Sequence, residues 1–132
     1  MGEKILIVDD EESISASLRE ILGEHGYEID TAYNGKKAVE SYRKALKDKP
    51  YQLILLDIVM PRMSGLEVLA AIRREEKEKG IDPKKGIPII MLSGLNESWM
   101  TDAFQDGCND YIVKPYAIPV LLAKIKAMLS KP

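Results

Sequence analysis

Four short apolar runs in the sequence each end on residues able to do chemistry. Ile5-Leu6-Ile7-Val8 is followed by Asp9-Asp10, and Leu53-Ile54-Leu55-Leu56 by Asp57. Ile89-Ile90-Met91-Leu92 is followed by Ser93, and Tyr111-Ile112-Val113 by Lys114-Pro115. If these runs are neighbouring strands pointing the same way, three carboxylates, a hydroxyl and an ammonium meet at one edge of a sheet. Two like charges about 4 Å apart repel by about 4 kcal/mol at an effective dielectric near 20, so such a cluster calls for a cation. A hard divalent ion that prefers oxygen and keeps some of its water, Mg²⁺, suits one or two carboxylates plus a phosphate oxygen. Lys114 adds a second positive charge and Ser93 a hydrogen bond, enough to hold the equatorial oxygens of a phosphoryl group in transfer. One carboxylate is then the nucleophile, and Asp57, alone on its run between the acid pair and the lysine, is the natural choice.

The rest of the chain supplies elements that put those run ends together. The three longest apolar runs are continuous, which means burial on both faces, as in the middle of a parallel sheet. Glu28-Ile29-Asp30-Thr31-Ala32 alternates polar with apolar, and the run from Tyr111 is short, so these two read as edges. Between the runs, apolar residues recur at helical spacing. Ile14, Leu18, Ile21 and Leu22 make one stripe, with Gly26 as its stop signal. Ala38, Val39, Tyr42, Ala45 and Leu46 make a second, with Asn34 as its N-cap. Leu66, Leu69, Ala70 and Ile72 form a third stripe, and Trp99, Met100, Ala103 and Phe104 a fourth. The fifth runs through Ile118, Leu121, Leu122, Ile125, Met128 and Leu129, with Pro119 in its first turn. Five strand–helix units predict a flavodoxin-like, doubly wound α/β fold: a five-stranded parallel sheet of order 2-1-3-4-5 with helices on both faces. In such a sheet the ligand site lies beyond the carboxyl ends of the strands, where the strand order reverses. The charged stretch from Arg73 to Lys79 and the Pro- and Gly-containing segment after it read as a solvated helix end and a surface loop.

Composition narrows the function. The chain has 132 residues, of which 45% are hydrophobic and 30% charged, an ordinary balance for one globular domain with a real core. With 19 basic and 21 acidic residues the net charge is −2, which gives no electrostatic footprint for nucleic acid or anionic lipid. The single cysteine, Cys108, has no disulfide partner, and the single histidine, His25, cannot complete a His/Cys zinc site. A reducing, cytoplasmic setting is expected. The apolar run at Ile5 is too short for a signal peptide or a membrane span, and Leu6 stands where a myristoylation motif needs Ser or Thr. Trp99 and Met100 read as helix core or partner surface rather than a cofactor box.

Taken in order, Ile7-Val8-Asp9-Asp10-Glu11, Asp57-Ile58-Val59-Met60-Pro61 with Gly65, Ser93-Gly94 and Asp110-Tyr111-Ile112-Val113-Lys114-Pro115 resemble the response regulator receiver domain of two-component signalling systems. The likeness is to the stand-alone, chemotaxis-type members and runs from about Lys4 to about Leu129. It implies one receiver domain over residues 1–132 that acts as a phosphorylation-dependent switch and not as a turnover enzyme. Asp57 would accept the phosphoryl group from a sensor histidine kinase or a histidine phosphotransfer protein. The resemblance also implies Asp10 as a direct Mg²⁺ ligand, Asp9 as one acting largely through water, and the Val59 carbonyl as a further ligand. Lys114 would pair with Asp57 before transfer and with the phosphoryl oxygen after it, through a Lys114-Pro115 peptide expected to be cis. Ser93 and Tyr111 would form the switch, read out on the face of the fourth and fifth helical stretches and the fifth strand by an unknown protein target, with neither nucleic acid nor membrane as direct partner. The stretch between the third helix and the fourth strand is longer than in the smaller family members, and Cys108 stands where alanine is usual. Val59 and Leu95, two residues beyond Asp57 and Ser93, are both apolar and unable to position a water, which predicts slow self-hydrolysis.

Two other classes share parts of the pattern. An FMN carrier would need a first loop of Gly, Ser and Thr offering free N–H groups to phosphate, and here that loop is Asp-Asp-Glu-Glu. A phosphatase of the haloacid dehalogenase type would need a second Asp two residues after the nucleophile, where this chain has Val59.

Overall fold

The computed structural model describes residues 2–94 and 103–130. Five parallel strands, β1 (Lys4–Val8), β2 (Glu28–Ala32), β3 (Leu53–Asp57), β4 (Ile89–Ser93) and β5 (Asp110–Val113), form one sheet in the order β2-β1-β3-β4-β5. Helices α1 (Glu12–Glu24), α2 (Gly35–Leu46), α3 (Gly65–Glu78) and α4 (Ile118–Leu129) cover its faces, with a short 3₁₀ turn at Pro83–Lys85. The last of these, α4, is the fifth helical stretch expected from the sequence. The expected stripe through Trp99 and Met100 lies outside the described residues, and residues 103–105 are helical.

Strand periodicity sorts the core into two layers, because successive side chains leave a strand on opposite faces. Leu6, Val8, Ile54, Leu56, Ile89 and Met91 pack with Val39 and Tyr42 of α2 and with Val68, Leu69 and Ile72 of α3. Ile5, Ile7, Leu53, Leu55, Ile90 and Leu92 face the other way, onto Leu18 and Leu22 of α1 and Leu121 and Ile125 of α4. Every residue of β3 and β4 is buried, as their unbroken apolar runs require.

Local signals set the helix starts. The Asn34 side chain accepts from the Lys37 N–H at 2.8 Å, capping α2, and Ser64 does the same for α3 through Glu67. Pro119 occupies the first turn of α4, where its missing N–H leaves nothing unpaired. The chain leaves α1 through Gly26, at φ 89°.

The stretch from Arg73 is not the solvated helix end that its charges predict. Glu76 is only 5% exposed. One of its carboxylate oxygens accepts from Arg73 Nη1 at 2.7 Å and the other from the Ile87 N–H at 2.7 Å. Arg73 also donates to the Gly107 carbonyl and to Asn109 Oδ1, which in turn accepts from the Ile89 N–H. The last turns of α3 therefore staple the amino ends of β4 and β5, and burial of the charges follows from their being fully paired.

Candidate functional site

At the opposite edge of the sheet, the strand ends deliver the residues singled out by the sequence. Asp9 follows β1 directly, Asp57 and Ser93 are the last residues of β3 and β4, and Lys114 follows β5. Strand order places β1 and β3 side by side, with the connections leaving to opposite faces, which opens the crevice between them. Carboxylate oxygens of Asp9, Asp10 and Asp57 lie within 4.8 Å of one another.

Each acid is held differently. Asp9 is fully buried; one oxygen accepts from the Glu11 N–H at 2.9 Å and the other lies 3.4 Å from Lys114 Nζ. Asp10 is exposed at the mouth. Asp57 is 5% exposed, with one oxygen 3.3 Å from Lys114 Nζ and the other accepting from the Val59 N–H at 3.3 Å. Lys114 thus bridges two carboxylates. Burial pushes the Asp57 carboxyl up from 3.8 to about 6; the Lys114 charge opposes that shift and the Asp9 charge adds to it. Burial works against the Lys114 ammonium, but Asp57 and Asp9 outweigh it and hold its pKa above the ordinary value.

The loop after β3 is shaped by close approach. A Cβ on Gly65 would collide with the carbonyl oxygen of Asp57, and the Gly65 N–H donates to the Ile58 carbonyl at 2.8 Å. Only glycine lets α3 begin this near the nucleophile candidate. Between them the Met63 N–H donates to the Pro61 carbonyl at 2.8 Å across Arg62, whose φ of 69° marks a strained γ-turn. Val59, 61% exposed, stands beside the mouth with its side chain in solvent.

Ser93 is buried, and its hydroxyl has no hydrogen-bond partner among the described residues. Its carbonyl accepts from the Lys114 N–H at 2.6 Å, which ties the two candidates together through the backbone. The Lys114-Pro115 peptide is cis, as expected. Tyr111 is half-buried, set edge-on to Phe104 at 5.7 Å between ring centroids, with Lys124 Nζ 5.8 Å from its ring centre. Lys124 also pairs with Asp110 at 3.0 Å. Leu95 lies outside the described residues.

All the described sequence candidates thus lie at the carboxyl edge, with Tyr111 further back along β5. Two neighbours were not among them. Arg62 shapes the loop after Asp57, and its place between Pro61 and Gly65 was the available clue. The Tyr116 phenol is pushed above its ordinary range, first by burial, with Lys114 opposing and Asp9 and Asp57 adding. Its position two residues after Lys114 was the only signal for it. Cys108 is buried and its thiol is pushed up to about 11, chiefly by burial, which fits a packed residue and not a reactive one.

An oxygen-only donor set at the switch point of a doubly wound sheet, free of His and Cys, suits a hard divalent cation such as Mg²⁺. Fold and crevice together define an α/β domain that concentrates three carboxylates around a lysine. The chain belongs to the response regulator receiver domain family, whose description matches residues 5–126. Such domains, from two-component systems, are signalling modules that are phosphorylated on an aspartate, bind Mg²⁺ in an acidic pocket and interact with histidine kinases.

The chain is 38% identical over 129 residues to the response regulator ArlR of Staphylococcus saprophyticus, a match spanning 97% of this chain and 53% of ArlR. It spans about half the length of the curated relatives it matches. Among solved structures, the chemotaxis protein CheY4 of Vibrio cholerae superposes with a TM-score of 0.80 at 30% identity, over 98% of this chain and 100% of that one. The response regulator protein TrrA of Thermotoga maritima, solved in complex with Mg²⁺-BeF, matches at 0.75 with 38% identity, over 96% of this chain and 99% of its own. No helix among the described residues is long and apolar enough to cross a membrane.

Proposed function

We propose that Asp57 is the phosphoryl acceptor of this receiver domain and that Asp9, Asp10, Lys114 and Ser93 form the machinery around it. The observation that carries the reading is the bridged pair: Lys114 Nζ lies 3.3 Å from Asp57 and 3.4 Å from Asp9, in a crevice whose third acid is Asp10. A carboxylate oxygen of Asp57 attacks phosphorus, and the bond from phosphorus to the donor's imidazole nitrogen breaks, its electron pair leaving with the imidazole. Lys114 then follows the charge from the carboxylate to the phosphoryl oxygen, and the Ser93 hydroxyl, without a partner among the described residues, supplies a hydrogen bond to another. Asp10 would hold Mg²⁺ directly and Asp9 largely through water, with Asp57 and the Val59 carbonyl as the protein's other ligands. The ion, when bound, neutralises charge that builds on the transferred group.

The donor is a sensor histidine kinase or a histidine phosphotransfer protein, and the setting is the cytoplasm, supported by a lone, buried Cys108. Residues 1–132 make one receiver domain, supported by a single sheet with a core on each face. Ser93 and Tyr111 carry the switch to a protein partner on the face of β5 and α4; the chain catalyses only its own phosphorylation and dephosphorylation. Val59 offers no group that could orient water, so the aspartyl-phosphate is long-lived, and decay within seconds would count against that point.

The test is intact-protein mass after incubation with acetyl phosphate, with and without Mg²⁺, on the wild type and Asp57→Asn. A gain of one phosphoryl group that needs Mg²⁺ and vanishes in the variant is expected. Labelling that survives in Asp57→Asn would overturn the assignment.

A further inference from the structure

The amino edge of the sheet carries a second cavity, of about 370 Å³, far from the carboxylate crevice. One wall is the segment between α3 and β4, through Ile81, Ile87 and Pro88, and another is the end of α4, through Met128 and Leu129. These give the cavity one apolar side, while about half of its lining is polar. Glu76 also borders the space, but both its oxygens are already engaged, by Arg73 and by the Ile87 N–H, so it contributes a closed ion pair and not a free charge. Lys85 is different: it lines the cavity, and its ammonium makes no ion pair or hydrogen bond among the described residues. Tyr42, 3% exposed, lines the inner side.

We propose that this cavity is a binding site for a small amphipathic monocarboxylate, its apolar body against Ile81, Ile87, Pro88, Met128 and Leu129 and its carboxylate on Lys85. The volume falls at the small end of the range for small-molecule clefts, about 300–1,000 Å³, and a helix, about 10 Å across, would not enter it. One cation, unpaired among the described residues, beside an apolar wall matches one negative charge at the end of an apolar body. A phosphate monoester would bring about two charges to that single lysine. The same amino-edge segment is held by the Arg73–Glu76 staple, so the wall is in place before any ligand arrives and little ordering opposes binding.

Amide resonances of ¹⁵N-labelled full chain, titrated with octanoate and in parallel with the uncharged 1-octanol, test this. Saturable shifts at Ile81, Lys85, Ile87, Met128 and Leu129 are expected with octanoate. Lys85→Gln, a substitution of an exposed side chain that leaves the core untouched, is expected to weaken octanoate by about fivefold and leave 1-octanol unchanged, the worth of one charge-assisted contact at a half-open site. Shifts that do not saturate, that fall at the carboxyl edge, or that are unchanged by Lys85→Gln would each overturn the assignment. None of these readouts depends on phosphorylation, so the outcome is separate from that of the acetyl phosphate experiment.

Discussion

Two clusters of buried charge sit at opposite edges of one sheet, and they are satisfied to different degrees. At the amino edge, Glu76 has a partner for each oxygen, and Arg73 donates to Glu76, Gly107 and Asn109. At the carboxyl edge, one lysine serves both Asp9 and Asp57, Asp10 stands open to solvent, and the Ser93 hydroxyl has no partner among the described residues. The first cluster closes on itself and holds strands in place. The second leaves charge and hydrogen-bonding capacity over, which is what a cation and a phosphoryl group would take up. Burial of charge is common to both, and what separates a staple from a site is the surplus.

The largest effect should come from breaking the staple. Arg73→Met leaves the Glu76 carboxylate buried without its cation, and should cost about 3–5 kcal/mol in urea unfolding. Phosphoryl acceptance from acetyl phosphate should persist in whatever fraction remains folded. If Arg73→Met unfolds no more easily than the wild type, the amino-edge cluster does not hold the strands in place.

The opposite sign is expected at the other edge. Asp57 has its carboxyl raised from 3.8 to about 6, so the folded state holds that proton more tightly than the unfolded chain does. Its penalty is absent below about pH 4, grows as pH rises through the interval to about 6, and is fully present above it. Removing the charge by Asp57→Asn should therefore stabilise metal-free protein at pH 7, by on the order of 2 kcal/mol. Urea unfolding in EDTA at stepped pH checks both statements. Wild-type stability should fall across that interval more steeply than that of the variant, and parallel curves would contradict the surplus-charge reading.

Gly65→Ala probes how tightly the crevice is built. A Cβ there meets the Asp57 carbonyl, so the loop after β3 must shift, at a cost of about 1–3 kcal/mol. Slower labelling by acetyl phosphate should accompany the lost stability, and unchanged labelling would mean that the loop gives way without moving Asp57. The smallest effect is expected at Arg62. Its φ of 69° is strained for any residue with a Cβ, and Arg62→Gly should raise stability by up to about 1 kcal/mol, read as a higher urea midpoint.

Much of the molecule could be read before it folded. The continuous runs at Ile5, Leu53 and Ile89 named the central strands, and the alternation at Glu28 named an edge. Asn34 and Pro119 stand at the helix starts their chemistry favours. The segment after Arg73 misled, because a charge-rich helix end looks solvated until the chain beneath it is known. The i, i+3 spacing of Arg73 and Glu76 was compatible with a pair, but nothing local tells that Ile87, Gly107 and Asn109 come to meet it. Tyr116 and Arg62 escaped notice for a related reason: their neighbours are distant in sequence or their strain lies in the backbone.

The sequence by itself determined which residue types stand at the strand ends, since strand period, burial and helix capping act over a few residues at a time. The tertiary structure alone decided what those types become. Lys114 and Asp9 are 105 residues apart in the chain and 3.4 Å apart in the fold. Desolvation raises the carboxyl of Asp57 because whole layers of core close around it, and Coulomb interactions depend on separations that no local pattern encodes.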